Sequence, residues 1–241
     1  MSQEICNYYC YRKDLKPVKI KIKRMDKLEL VVFDMDGVIA DIVSSWKFIH
    51  DYFHTDNMVS VEEYLKGNID DMEFIRRDVL LWKENGKHIT KNKLEEILLN
   101  VPLMKGAKDC MNALRNNNIK TVIVSAGLDI LANRFQDELS MDYALSNGVK
   151  VDENGRLNGV GVLGVKLKKK DESIKKIATK FNINQDRIAS VGNSCFDIPM
   201  FEQSGYGIAF NPEDDCVKKA ADIVIEKKDL SLLLPLLKKY F

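Results

Sequence analysis

The residues with the most obvious chemistry sit close to the start of the chain, where Leu30–Phe33 runs directly into Asp34-Met35-Asp36-Gly37. A short apolar run that ends at a turn signal reads as a buried strand of a parallel sheet. Side chains two apart on a strand share a face, so Asp34 and Asp36 should project together from its carboxyl end. Open α/β sheets place their ligands at that edge. Two crowded carboxylates repel, and are relieved by a bound cation or by a proton retained on one of them. The pair then suits metal ligation, general acid catalysis, or a nucleophile beside an acid. An acidic turn with no chemistry remains the alternative for so short a motif.

Further along, two other apolar runs end in polar residues. Lys120–Val124 leads into Ser125-Ala126-Gly127, and Arg187–Val191 leads into Gly192-Asn193-Ser194, with Asp197 close behind. Ser125 offers a hydroxyl beside the backbone N–H groups of an expected helix start, which suits a phosphate, although a turn residue or cap would look the same. Lys170 opens a helix, where the macrodipole disfavours a cation, but it also closes the run Lys166–Lys170, which reads equally as a solvated face. Asp197 alone reads as a surface helix residue. If the three strands are parallel, their ends converge on one edge, and that conjunction is far more specific than any single residue.

The remaining elements supply the frame. Residues 41–53, 61–66, 69–82 and 91–99 carry apolar side chains at three- and four-residue spacing and read as helices, with Thr90 as an N-cap. Gly67-Asn68 and Asn85-Gly86 punctuate them, and no comparable strand signal appears between 41 and 100. From residue 106, helices and strands alternate, which implies a parallel sheet with helices on both faces. Residues 143–163 form a separate unit, in which Asn154-Gly155 between alternating runs marks a hairpin. The expected organisation is a basic N-terminal extension (1–27), a helical insertion (42–102), and an α/β core formed by 28–41 and 103–241. In the extension Val18, Ile20 and Ile22 alternate with lysines, in the manner of an edge strand, and no catalytic role is expected of it.

The chain has 241 residues, enough for one large domain or a core with a smaller insert. Its 37 basic and 36 acidic side chains leave a net charge of +1, so no global field directs it to nucleic acid or a membrane. No apolar stretch approaches the ~20 residues that span a bilayer, and the first residues lack the apolar core of a secretory signal. The expected location is cytoplasmic, with no nucleic-acid or membrane partner. The five cysteines are scattered without paired metal spacing.

Taken in order, Asp34-Met35-Asp36-Gly37, Ser125, Lys170 with Glu172, and Gly192-Asn-Ser-Cys-Phe-Asp197 resemble the four motifs of the haloacid dehalogenase superfamily, in particular its phosphoserine phosphatase-like group. The resemblance covers about residues 28–238 and implies a Rossmann-like core with a helical cap. It also implies Mg²⁺-dependent hydrolysis of a small phosphorylated metabolite through an aspartyl phosphate. Asp34 would be the nucleophile and Asp36 the general acid and base. Ser125, the Ala126 N–H and Lys170 would hold the phosphoryl group. Mg²⁺ would take Asp34, the Asp36 carbonyl, Asn193 and Asp197.

Four positions depart from that pattern. Asn193 stands where the family has an acid, which should weaken metal binding. Val43 and Phe196 replace the amine-binding Glu and a motif Asn. A gapless reading puts Asp78 at the family's carboxylate-binding Arg, although Arg76 and Arg77 are adjacent. The substrate is therefore expected to differ from phosphoserine or to be broader. A phosphotransferase or phosphomutase on the same scaffold, and a catalytically weak phosphate-binding protein, are the alternatives. The oligomeric state is not legible.

Overall fold

The computed structural model describes residue 11 and residues 25–241. Apart from Tyr11, residues 1–24, including the expected edge strand around Val18–Ile22, lie outside the described residues. The strands are β1 (Leu30–Phe33), β2 (Lys83–Glu84), β3 (Lys87–His88), β4 (Lys120–Leu128), β5 (Tyr143–Val151), β6 (Leu157–Val162), β7 (Ile188–Gly192), β8 (Tyr206–Phe210) and β9 (Ile223–Ile225). The helices are α1 (Ser45–Phe53), α2 (Met58–Lys66), α3 (Asp71–Leu81), α4 (Lys91–Leu98), α5 (Ala107–Asn116), α6 (Asp129–Leu139), α7 (Lys170–Phe181), α8 (Ile198–Glu202), α9 (Asp215–Ala220) and α10 (Leu233–Leu237).

Seven strands form one sheet in the order β6-β5-β4-β1-β7-β8-β9. All neighbours are parallel except β6, which returns antiparallel along β5. β1 is central because all four of its residues are apolar and buried, so both of its edges and both of its faces are covered. The chain leaves β1 for β4 and β5 on one side, then resumes at β7 on the other. The sheet's topological switch therefore lies at the carboxyl end of β1, where α/β sheets open a crevice. Apolar residues divide between the two faces: Val31 and Phe33 pack into one cluster, Leu30 and Val32 into the other. This is the layered α/β architecture expected from the alternation.

Helix boundaries follow the caps. α1 starts at Ser45, later than the expected Asp41, because residues 35–40 form a tight turn and Ser44 is extended and caps the helix. Asp70 caps α3 and Thr90 caps α4, each accepting a hydrogen bond from the backbone N–H three residues on. One short feature departs from the expected all-helical insert. Lys83–Glu84 and Lys87–His88 form a small antiparallel ladder around Asn85-Gly86, whose φ values of 51° and 76° suit the tight hairpin turn that this dipeptide favours.

The helices between β1 and α5 are gripped by the β5–β6 hairpin. Lys91 N–H donates to the Gly155 carbonyl, Leu157 N–H to Ile89, and Arg156 to the His88 carbonyl. α3 lies against β6, where Gly161 leaves no room for a side chain: a Cβ there would stand 2.8 Å from Ile75. No helix among the described residues is long and apolar enough to cross a membrane.

Candidate active site

The carboxyl ends of β1, β4 and β7 bring together the predicted residues. Asp34 follows β1, its N–H bonded to the Val191 carbonyl of β7. It is 6% exposed. Its Oδ1 accepts from Met35 N–H at 2.8 Å and faces Lys170 Nζ at 2.9 Å. Lys170, the first residue of α7, is equally buried and turns its other side to Asp197 Oδ1 at 2.7 Å. A cation at the positive end of a helix is costly, and the two carboxylates compensate for it. Burial alone would lower the Lys170 pKa, but Asp197 and Asp34 outweigh it and hold the ammonium above its usual range. The Asp34 carboxyl is pushed up to about 7 by burial and by the Asp197 charge, against the pull of Lys170.

Asp197 was expected among the metal ligands, yet both of its oxygens are engaged. Besides Lys170 on Oδ1, its Oδ2 accepts from the Asn193 N–H at 2.9 Å and the Ser194 N–H at 3.0 Å. It thus ties Lys170 to the loop after β7. Gly192 permits that closeness, since a Cβ there would lie 2.3 Å from the Asp197 side chain.

Asp36 is held by a residue that the sequence reading did not single out. Ser45 N–H and Ser45 Oγ both donate to Asp36 Oδ2, each at 2.8 Å. Ser45 Oγ in turn accepts from Leu128 N–H, which fastens α1 to the end of β4. Asp36 Oδ1 is buried without a hydrogen-bond partner among the described residues. Burial pushes the Asp36 carboxyl up to about 6, with Ser45 and Lys170 acting in the other direction.

The strand before Ser125 runs further than the expected end at Val124: β4 continues irregularly to Leu128, and α6 starts at Asp129. Ser125 therefore sits in an irregular strand end, where its Oγ accepts from Gly127 N–H at 3.1 Å. A side chain at Gly127 would collide with Met35, Ser45 and Asp36, all within 2.8 Å. Asn147 of β5, also absent from the sequence reading, fixes this segment. Buried at 3% exposure, it donates to the Ala126 and Val165 carbonyls and accepts from the Gly164 and Val165 N–H groups. It couples the Ser125 loop to the approach to Lys170.

The cavity over this edge has a volume of about 560 Å³. Its wall from the insert includes Val43, Trp46, Tyr64, Phe74 and Asp78. Asp78 faces the cavity, accepting from Asn57 Nδ2 at 3.0 Å and standing 3.5 Å from His50 Nε2. Arg76 and Arg77 instead pair with Glu73 at 2.6 and 2.8 Å. Phe196 lines the wall and stacks on Tyr11, with ring centroids 5.0 Å apart.

Asn193 also lines the cavity, and a third unforeseen residue stands beside it. Asn193 Nδ2 donates to Glu213 Oε1 at 3.2 Å. Burial of the Glu213 carboxyl and the nearby Asp214 and Asp197 charges push it up to about 7. Nothing in the local sequence marks Glu213, because β8 alone brings its loop back across the end of β7. Among the described residues no three Asp, Glu, His or Cys side chains converge closely enough to hold a cation by themselves.

The model of haloacid dehalogenase-like hydrolases matches residues 28–205, most of the chain. This chain belongs to that family. The haloacid dehalogenase-like hydrolase is 30% identical over 215 residues to the phosphoserine phosphatase of Methanocaldococcus jannaschii, covering 88% of this chain and 99% of that protein. A solved phospho-aspartyl intermediate analogue of phosphoserine phosphatase superposes with a TM-score of 0.73 at 29% identity, over 87% of this chain and 99% of the other. A substrate-bound phosphoserine phosphatase complex gives 0.74 at 29% identity, over 87% and 98%. The hydrolase is accordingly a phosphatase of the phosphoserine phosphatase-like type.

Proposed function

We propose that this phosphatase hydrolyses small phosphomonoesters through an aspartyl phosphate on Asp34, with Mg²⁺ as cofactor and phosphoserine as a poor substrate. The observation that carries the reading is the buried Asp34–Lys170–Asp197 chain beside Ser125. Lys170 holds Asp34 by Oδ1, which leaves Oδ2 to attack phosphorus in line with the departing oxygen. The Ser125 hydroxyl already accepts from Gly127, so its proton is available to a phosphoryl oxygen. Lys170 neutralises charge that gathers on the phosphoryl group.

Asp36 supplies the proton. Its Oδ2 accepts two hydrogen bonds from Ser45, so the proton belongs on Oδ1, which has no partner among the described residues. Asp36 passes that proton to the leaving oxygen as the P–O bond breaks. It then takes one from the water that cleaves the acyl phosphate, returning Asp34 and releasing phosphate.

The donors fit a hard cation, being oxygens throughout: Asp34, the Asp36 backbone carbonyl and the Asn193 amide, next to the unpartnered Asp36 Oδ1. When bound there, Mg²⁺ would supply charge that offsets the phosphate and the nucleophile. We assign Asp197 to positioning Lys170. The helical insert over the cavity acts as a cap that excludes water and selects the substrate. Its buried Asp78, in a wall that has no unpaired arginine among the described residues, disfavours a substrate carboxylate. A cytoplasmic location accords with such substrates.

The test is a panel of phosphorylated metabolites assayed for phosphate release with and without Mg²⁺. Turnover should require Mg²⁺ and disappear in Asp34→Asn. Activity retained in that variant would overturn the nucleophile assignment.

A further inference from the structure

An asparagine is an ambiguous neighbour for a cation. Its carboxamide presents a carbonyl oxygen that can ligate a metal and an NH₂ group that repels one, and the two ends have nearly the same shape. A carboxylate at the same place has no wrong end. If Asn193 is to serve beside Asp34, something must choose which end it offers.

The structure contains such a device. The main chain of Asn193 is fixed on both sides. Its N–H is held by Asp197 Oδ2 at 2.9 Å, and its carbonyl accepts from Glu213 N–H at 2.8 Å. The side chain is 3% exposed and lies against Gly37, where an added Cβ would come within 2.1 Å of Nδ2. With φ at +76°, Gly37 is a glycine on two counts: the backbone requires it, and so does the amide. The remaining freedom of Asn193 is the direction of its amide, and Glu213 Oε1 accepts from Nδ2 at 3.2 Å. An ionised carboxylate can only accept, so it selects the NH₂ end and reserves Oδ1 for another partner. No trio of acidic side chains among the described residues replaces that oxygen.

We propose that Glu213 is a positioning residue for the Mg²⁺ site: it fixes the amide of Asn193 so that the carbonyl oxygen is the end available to the cation. The inference rests on the Mg²⁺-dependent reading above. Two devices are possible in principle, orientation of the amide or the addition of negative charge. They differ in what a glutamine would do at residue 213. Glu213→Gln removes the charge but keeps an acceptor oxygen, whereas Glu213→Ala removes both. Glu213 lines the cavity and its carboxyl end is partly covered, but the residue lies outside the hydrophobic core, so neither variant disturbs the core.

The experiment is calorimetric titration of Mg²⁺ into the full chain, with no substrate present. Orientation predicts that Glu213→Ala weakens Mg²⁺ binding by about tenfold, the lower end of what outer residues of metal sites contribute. Glu213→Gln should stay within about threefold of the parent, smaller than that range because an acceptor remains. It also predicts rescue: in an Asn193→Asp background, which itself binds Mg²⁺ more tightly, Glu213→Ala should have no weakening effect. Equal losses in Glu213→Gln and Glu213→Ala, or a loss that persists with Asp at 193, would replace orientation by simple charge and overturn the inference. So would Mg²⁺ binding that is the same in the parent and Glu213→Ala. A parent that binds no Mg²⁺ would overturn both this inference and the cofactor assignment beneath it.

Discussion

Asp34 and Asp36 are two residues apart and equally acidic as free amino acids, yet the fold surrounds them differently. Lys170 holds one oxygen of Asp34, and Ser45 holds one oxygen of Asp36. Both carboxyls lie well above their ordinary value of 3.8, at about 7 and about 6. In the unfolded chain they lose their protons near pH 4, whereas in the folded, metal-free chain they keep them to pH 6–7. Across that window the folded state carries more protons, so its stability falls as pH rises. A cation bound at Asp34 must displace the same protons at low pH. Mg²⁺ should therefore raise the thermal midpoint more at pH 7.5 than at pH 5. At a hundredfold excess over Kd the gain at pH 7.5 should be about 3 kcal/mol. An equal or larger shift at pH 5 would argue that the cation does not compete with these carboxyls.

At the scale of elements, the site is a set of loop ends cross-linked by buried polar side chains. Asn147 is the clearest case, because four hydrogen bonds from one side chain join the end of β4 to the segment before α7. Replacing it with alanine leaves two N–H groups and two carbonyls without that partner. Asn147→Ala should cost about 3 kcal/mol in denaturant unfolding and lower turnover through misplaced Ser125 and Lys170. A loss below about 1 kcal/mol would mean that water substitutes for the amide. Neither this residue nor Ser45 was recognisable beforehand. Each lies in an ordinary segment, and its partners are 9 to 83 positions away in the sequence.

At the scale of the whole molecule, the sheet edge carries the candidate site and the insert walls the cavity above it. The β5–β6 hairpin binds the insert from one side, and Trp46 Nε1 donates to the Ala126 carbonyl from the other. The wall so formed carries Asp78, which already holds Asn57 and neighbours His50. A substrate carboxylate pressed against it would face like charge in a poorly solvated place. Phosphoserine should therefore be hydrolysed with a kcat/KM at least about tenfold below that of a carboxylate-free phosphomonoester of similar size, about 1.4 kcal/mol of discrimination. Competition assays with the two substrates measure this directly. A preference for phosphoserine would show that the insert carries another anion-binding group.

The candidate site was legible in the sequence because most of its residues sit at strand ends, and strand ends are marked locally by an apolar run stopping at a polar residue. Asp34, Asp36, Ser125, Lys170, Asn193 and Asp197 all announce themselves in this way or by their order along the chain. They line one edge because parallel strands leave no other arrangement. Tertiary structure alone decided what those residues touch. It gave Asp197 to Lys170, brought Ser45 onto Asp36, and set Glu213 against Asn193. It also turned Asp78 inward and left Arg76 and Arg77 to Glu73. The physical reason is range. An apolar period and a turn are written within a few neighbours, whereas a hydrogen bond across a site depends on how distant segments pack together.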